Sequence, residues 1–113
     1  MKTVVIDGIE FIEKPKVDDL KHVIVRSGQA GVFAGFLKNR NGDEVTLLDA
    51  RRLWYWEGAF TISALATKGT KKPNGCKFSV AVSEQTVLGV CEIIPTTILA
   101  KESILGVKVH DPE

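Results

Sequence analysis

Short apolar runs bounded by glycine, asparagine and proline recur along the chain, the pattern of β-strands joined by tight turns. Val4-Val5-Ile6 and Ile9-Glu10-Phe11-Ile12 flank Asp7-Gly8, a dipeptide suited to a hairpin whose central residues need positive φ. Pro15 and the Asp18-Asp19 pair break the pattern. A strand is then expected over Lys21 to Arg26, with Ser27-Gly28-Gln29-Ala30-Gly31 as a turning connection. Val32 to Lys38 and Glu44 to Trp56 read as two β-runs joined across Asn39 to Asp43, where Asn41-Gly42 is the clearest hairpin signal. Further strands are expected over Lys77 to Val82 and Thr86 to Ile94.

Two segments read as short helices. Thr61 is a suitable N-cap for a helix placing Ile62, Leu65 and Ala66 on one face and stopping at Gly69. The basic loop Thr70-Lys71-Lys72-Pro73-Asn74-Gly75 follows. After Pro95, either Thr96 or Thr97 can cap a second helix, with Ile98, Leu99 and Leu105 inward and an end at Gly106. Val107 to His110 could add a last short strand. No repeat or linker divides the chain. The expectation is therefore one α+β domain over residues 1–113: a mainly antiparallel sheet with two short helices, the second near the C-terminus.

Composition narrows the classes of partner. The 113 residues carry 15 Lys+Arg and 14 Asp+Glu, a formal net charge of +1, which argues against a nonspecific DNA-binding protein because such proteins carry a basic excess. No apolar stretch approaches the ~20 residues a membrane helix needs, and the acid at Asp7 comes too early for a secretory signal, so a cytosolic protein is expected. Cys76 and Cys91 form no CxxC pair, and His22 and His110 do not complete a zinc set with them; two thiols in a reducing compartment are the simpler reading. No metal or cofactor is expected.

One segment concentrates candidate chemistry. Asp49-Ala50-Arg51-Arg52-Leu53-Trp54-Tyr55-Trp56 holds both tryptophans, the single tyrosine and two arginines. In an unbulged strand, Arg52, Trp54 and Trp56 share a face with Leu48, and Arg51 shares the other with Asp49, Leu53 and Tyr55. A guanidinium can clamp a phosphate while a nearby indole carries a base. The alternative is structural, with the tryptophans in the core, Arg52 covering their edge and Arg51 paired with Asp49 at the surface. Arg26, Lys38, Arg40, Lys68, Lys71 and Lys72 add cations that a fold or a second subunit could gather, or that simply solvate a surface.

Enzymatic patterns are absent from the sequence. No serine sits in an elbow motif or with a recognisable triad, and neither a dinucleotide-binding nor a phosphate-loop glycine signature occurs. Asp18-Asp19 and Asp43-Glu44 lie in turn-like contexts. His22 or Cys91 could still act, although nothing in their spacing requires it.

Taken together, Val25-Arg26-Ser27, Ala30 to Gly35, Asp49 to Ala59, Cys76-Lys77-Phe78 and Glu92-Ile93-Ile94-Pro95 resemble the phage anti-defence proteins of the first-described Thoeris sponge type, over about Lys21 to Gly106. The Ala-Arg-Arg-Leu-Trp-x-Trp core is the most specific part. The resemblance implies a protein that binds cyclic ADP-ribose signals made by TIR proteins, and in some members cyclic di- or trinucleotides, without degrading them. It implies a phage-encoded protein acting in the host cytoplasm as a dimer, or a hexamer of dimers, with ligand sites between subunits. By position, Arg51 or Arg52 would contact phosphate or ribose, and Phe78 or Trp54 would stack on adenine. Arg26 would serve a second cyclic-nucleotide site, and Lys101 would reach a neighbouring pocket. Two other functions stay open beside this one: a structural or protein-interaction module without a nucleotide ligand, and a cyclic-nucleotide hydrolase.

Sequestration by mass action is demanding, since a nanomolar dissociation constant corresponds to about −12 kcal/mol. Enclosing the ligand between two protomers would exclude water and strengthen each charge-assisted contact, so a homo-oligomer is expected.

Overall fold

The computed structural model describes residues 3–6, 9–12 and 17–110. β1 (Thr3–Ile6) and β2 (Ile9–Ile12) pair antiparallel with Ile6 opposite Ile9, the hairpin expected from their pattern. Its Asp7-Gly8 turn and the break at Pro15 lie outside the described residues. A 3-10 turn over Val17–Asp19 then leads into β3 (His22–Ser27), β4 (Gly31–Asn41) and β5 (Glu44–Tyr55). After α1 (Ile62–Lys68) come β6 (Lys77–Phe78), β7 (Val82–Val87), β8 (Val90–Pro95) and α2 (Ile98–Gly106). The fold is thus α+β, a mainly antiparallel sheet with two helices, the second near the C-terminus.

The six-stranded sheet runs β6-β5-β4-β3-β8, and β7 also pairs with β5. β7 and β8 therefore lie on opposite margins, yet only Leu88 and Gly89 separate them. Three Cα steps span about 11 Å at most, so the sheet must curl until its margins meet. Gly89 makes the reversal at φ +66°, a conformation that suits a residue without Cβ. This turn divides the run Thr86 to Ile94, which hydrophobicity alone reads as one strand.

Curling separates two cores. The inner one contains Val23, Val25, Phe33, Val45, Leu47, Ala50 and Val87. The outer one joins Ile24, Ala34 and Leu53 to Leu65 and Ala66 of α1, Ile104 of α2, and Phe78. β3 thus places Val23 and Val25 inward and Ile24 outward, so its side chains are covered on both faces.

β5 cannot serve both cores by simple alternation. Its pairing with β4 slips between Ala34↔Arg51 and Phe36↔Leu48, leaving Gly35 opposite Asp49-Ala50, and Asp49 takes φ +49°. This is a β-bulge. It allows Val45, Leu47 and Ala50 to reach the inner core while Leu53 reaches the outer one. The unbulged grouping of Arg52 with Leu48, and of Arg51 with Asp49, is therefore corrected.

Thr61 caps α1 by accepting a hydrogen bond from Ala64 N at 3.0 Å, and Gly69 ends the helix, as expected. For α2 the cap is Thr97, whose Oγ1 accepts from Ala100 N at 3.0 Å and donates to Thr67 O at 2.7 Å. The inward residues of α2 differ from expectation: Ala100 and Ile104 are buried, whereas Ile98, Leu99 and Leu105 are exposed. Close approach of α2 to the end of α1 accounts for the small Ala100, because a Cβ on Gly69 would lie 2.4 Å from Ser103 Cβ and 3.5 Å from Ala100 Cα, and Ile104 follows one turn later on the same face. Two strand expectations also shrink. Lys77 to Val82 yields only the two-residue β6, and Val107 to His110 yields a single parallel bridge, Phe78↔Val109.

The bulge depends on Gly35. A Cβ there would sit 3.1 Å from Ala50 Cα, Leu47 Cβ and Leu48 O, whereas one on Gly28 would meet nothing within 4 Å. Gly35→Ala is expected to lower unfolding free energy by about 1–3 kcal/mol, and Gly28→Ala by under about 0.5 kcal/mol, both read from urea titrations.

Candidate functional site

The two adjacent arginines meet opposite environments. Arg51 is 6% exposed and lies under α2. Its Nε donates to Ser79 O at 2.8 Å and its Nη1 to Ile104 O at 2.9 Å, with the guanidinium 5.4 Å from the centroid of the Phe78 ring. Burial lowers its pKa from the ordinary arginine value, yet the group remains a cation because that value is so high. A positive charge against a last-turn carbonyl of α2 is well placed in the helix dipole. Arg51 therefore clamps the helix to the sheet. Its Nη2 is buried without a partner among the described residues.

Arg52 faces the inner core at its mouth. Its guanidinium lies 4.4 Å from the centroid of Phe33, a ring only 1% exposed, and its Nη1 donates to Ala30 O at 2.6 Å. Its backbone is fixed as well, with Arg52 N donating to Ser79 Oγ at 2.8 Å and Ser79 N to Arg52 O at 3.0 Å. Beside it opens a cleft of about 280 Å³, whose polar lining residues are Arg52, Gln29, Gln85 and Thr86 above Phe33 and Val87.

Ser27 ties two walls of that cleft together. Its hydroxyl donates to Leu88 O at 2.8 Å and accepts from Ala30 N at 3.1 Å, tying the β3–β4 connection to the β7–β8 turn. Gly31, at φ +105°, completes the connection directly beneath Arg52, where a Cβ would sit 3.7 Å from Nη1. Gln85 pairs with Leu47 and so shares the inward-facing register of β7. Neither glutamine amide has a hydrogen-bond partner among the described residues.

The other expected site residues are dispersed. Arg26 pairs across the sheet with Glu92, Nε to Oε1 at 3.2 Å. Trp54 is 62% exposed, with His110 edge-on at 5.3 Å and Lys77 Nζ 5.6 Å from its ring. Phe78 is fully buried beneath Arg51, which places it in the core rather than in contact with solvent. Lys101 lies on α2, close enough to His22 for its charge to act there. Trp56 is half-buried against the outer core. The structure thus brings Arg51 and Phe78 together and leaves Arg52 in a separate cleft.

The family profile that matches the chain covers residues 20–104. The chain belongs to the DUF6948 family, a domain of unknown function. In fold terms, the DUF6948 match runs from just before β3 into the last turns of α2, taking in both arginines and every residue of the cleft. No curated protein and no solved structure matches the chain. Among the described residues of this DUF6948 domain, no group of three or more His, Cys, Asp or Glu side chains is arranged to hold a metal ion, and no helix is long and apolar enough to cross a membrane.

Sequence reasoning missed Phe33, Gln29 and Gln85 as parts of the cleft, and Ser27 as the tie between its walls. The glycine-rich connection after Ser27 was the available signal for two of them. Gln85 becomes a neighbour only because the curled sheet brings the β7–β8 turn against that connection.

At the far end of β3, His22 is buried, its Nδ1 2.7 Å from Thr96 Oγ1, whose hydroxyl lies 3.0 Å from His22 O. Its ring stands edge-on to Phe36 at 5.0 Å. Burial, and secondarily the Lys101 charge, lowers its pKa to about 4.

The unfolded chain therefore binds a proton at His22 near pH 6.5 that the folded chain refuses until about pH 4. Stability present above pH 6.5 is lost as pH falls through that window. The loss is expected to be about 1–2 kcal/mol between pH 7 and 5 by urea unfolding, and His22→Gln should flatten it. Arg51→Ala is expected to cost about 2–3 kcal/mol by stranding the Ser79 and Ile104 carbonyls and to speed amide exchange at the end of α2. Arg52→Ala should cost under about 1 kcal/mol, with Arg51→Lys restoring only part of the Arg51 loss.

Proposed function

We propose that this protein sequesters a cyclic nucleotide signal of the cyclic ADP-ribose class, binding it without turnover. The observation that carries the reading is the Arg52 guanidinium, its central carbon 4.4 Å from the centroid of Phe33, at a cleft of about 280 Å³. A guanidinium fixed by its Nη1 bond to Ala30 O is already oriented, so binding need not order it, and its remaining donors suit a phosphate or ribose hydroxyl.

The ligand class comes from the likeness of the Arg51-Arg52-Leu53-Trp54 region and its neighbours to Thoeris sponges. In this reading the protein is phage-encoded and acts in the host cytoplasm. The cleft lies just below the ~300–1,000 Å³ usual for small-molecule sites and would enclose only part of a cyclic dinucleotide. A second copy of the chain would cover the rest, which is the reason for proposing a homo-oligomer. Arg26 and Lys101, both outside the cleft, would contribute only across such a contact.

A specific observation favours a protein-interaction module as the second reading. Trp54, Tyr55 and Phe60 are exposed, as are Ile98 and Leu99 on α2, and large apolar side chains of this kind are what a partner protein would cover.

A thermal-shift panel of cyclic ADP-ribose isomers and cyclic di- and trinucleotides distinguishes the readings. Sequestration predicts a shift of several degrees with at least one compound, a smaller shift in Arg52→Ala, and recovery of intact compound after heat denaturation. A flat panel supports the interaction module, and recovery of a hydrolysed product would replace sequestration by hydrolysis.

A further inference from the structure

Resting on that reading of the cleft, we infer that Ser27 is its positioning residue, coupling the order of the Arg52 guanidinium to the place of the β7–β8 turn. Ser27 is not among the residues that line the cleft, yet Ala30 and Leu88, the two its hydroxyl engages, both are. It acts through them. Leu88 O accepts from Ser27 Oγ at 2.8 Å, Ser27 Oγ accepts from Ala30 N at 3.1 Å, and Ala30 O accepts from Arg52 Nη1 at 2.6 Å. The turn, the β3–β4 connection and the cation are thus joined in one chain of hydrogen bonds.

A hydroxyl suits the middle of this chain because it donates one bond while accepting another. Ser27 is 3% exposed, so little water reaches it to replace either bond. Arg52 is exposed, and a long side chain in water keeps its rotamer freedom unless its end is held. The bond to Ala30 holds it, and Ala30 is in turn held by Ser27. A slip in β8 sets up the approach to the turn. Arg26 pairs with Glu92 but Ser27 with Val90, which leaves Cys91 as the extra residue of a β-bulge, its thiol donating to Arg26 O at 3.3 Å. Without the slip Ser27 would face Cys91, one residue further from Leu88. A serine that served only to cap the connection after it, through its bond to Ala30 N, would need neither the slip nor Leu88.

Guanidinium NMR of the ligand-free protein tests this by reading how fast Nη1 and Nη2 of each arginine exchange places, with Arg52→Lys to assign the signal. In the parent, Arg52 should exchange more slowly than Arg40, which is exposed and bonds to Gly42 O through Nε. Ser27→Ala should speed Arg52 exchange about tenfold, the equivalent of losing one hydrogen bond to a charged group. Ser27→Thr keeps the hydroxyl and should restore the parent rate. Two glycines inserted between Leu88 and Gly89 leave Ser27 intact but carry its acceptor away, and should speed Arg52 as Ser27→Ala does. Arg51, held on the other face of β5, should keep its rate throughout, which separates release of Arg52 from loss of the fold. A parent rate for Arg52 in Ser27→Ala, or a response to Ser27→Ala and none to the insertion, would overturn the inference. Sequestration fails by a different result, a parent protein whose melting temperature no cyclic ADP-ribose isomer or cyclic oligonucleotide shifts, so the two failures are distinguishable.

Discussion

The β-bulge at Asp49 decides where each side chain of the central strand goes. Without it, β5 would present Val45, Leu47, Asp49, Arg51 and Leu53 to one face, sending an acid and a base into the same core as three aliphatic residues. With Asp49 at positive φ and Gly35 opposite, the strand changes phase and both cores receive apolar groups. The arginines are separated by the same step. Arg51 turns outward beneath α2, and Arg52 turns toward Phe33 at the mouth of the inner core.

The two guanidiniums show how one residue type acquires two roles from its surroundings. Arg51 satisfies carbonyls in a dry setting, where a cation with no acidic partner among the described residues is tolerated because it meets the negative end of a helix. Arg52 keeps Nη1 on Ala30 O and its guanidinium carbon over an aromatic ring while remaining open to water. The first is committed to the fold, and the second has donors to spare. That contrast, more than the density of aromatics in the segment, locates the candidate site.

Most elements were legible because their signals are local. Asn41-Gly42 marks the β4–β5 turn and Thr61 and Gly69 bound α1, whereas the capping choice between Thr96 and Thr97, open in the sequence, goes to Thr97 beside the distant carbonyl of Thr67. What was not legible depended on distant partners. Ile98, Leu99 and Leu105 look like an inward stripe by size, yet α2 packs close to Gly69 on the face that carries Ala100, and Ile104 on that same face enters the core instead. Phe78 looks available beside a basic loop and is core because β6 pairs with the end of β5. Cleft residues such as Gln85 carry no local mark, since their neighbours are set by a closure that no window of sequence contains.

That closure has a temporal side. The wall-to-wall bond from Ser27 to Leu88 joins residues 61 apart, and the Arg26–Glu92 pair joins residues 66 apart, so both form only after most of the chain has been drawn in. Contacts of such long range carry the entropy of a large loop and belong to the late part of folding. The β4–β5 hairpin can form early and carry Arg52 into place, but it cannot make the pocket beside it. The cleft is thereby confined to chains whose last strand has docked, and a ligand bound there, as proposed, would hold its two walls together.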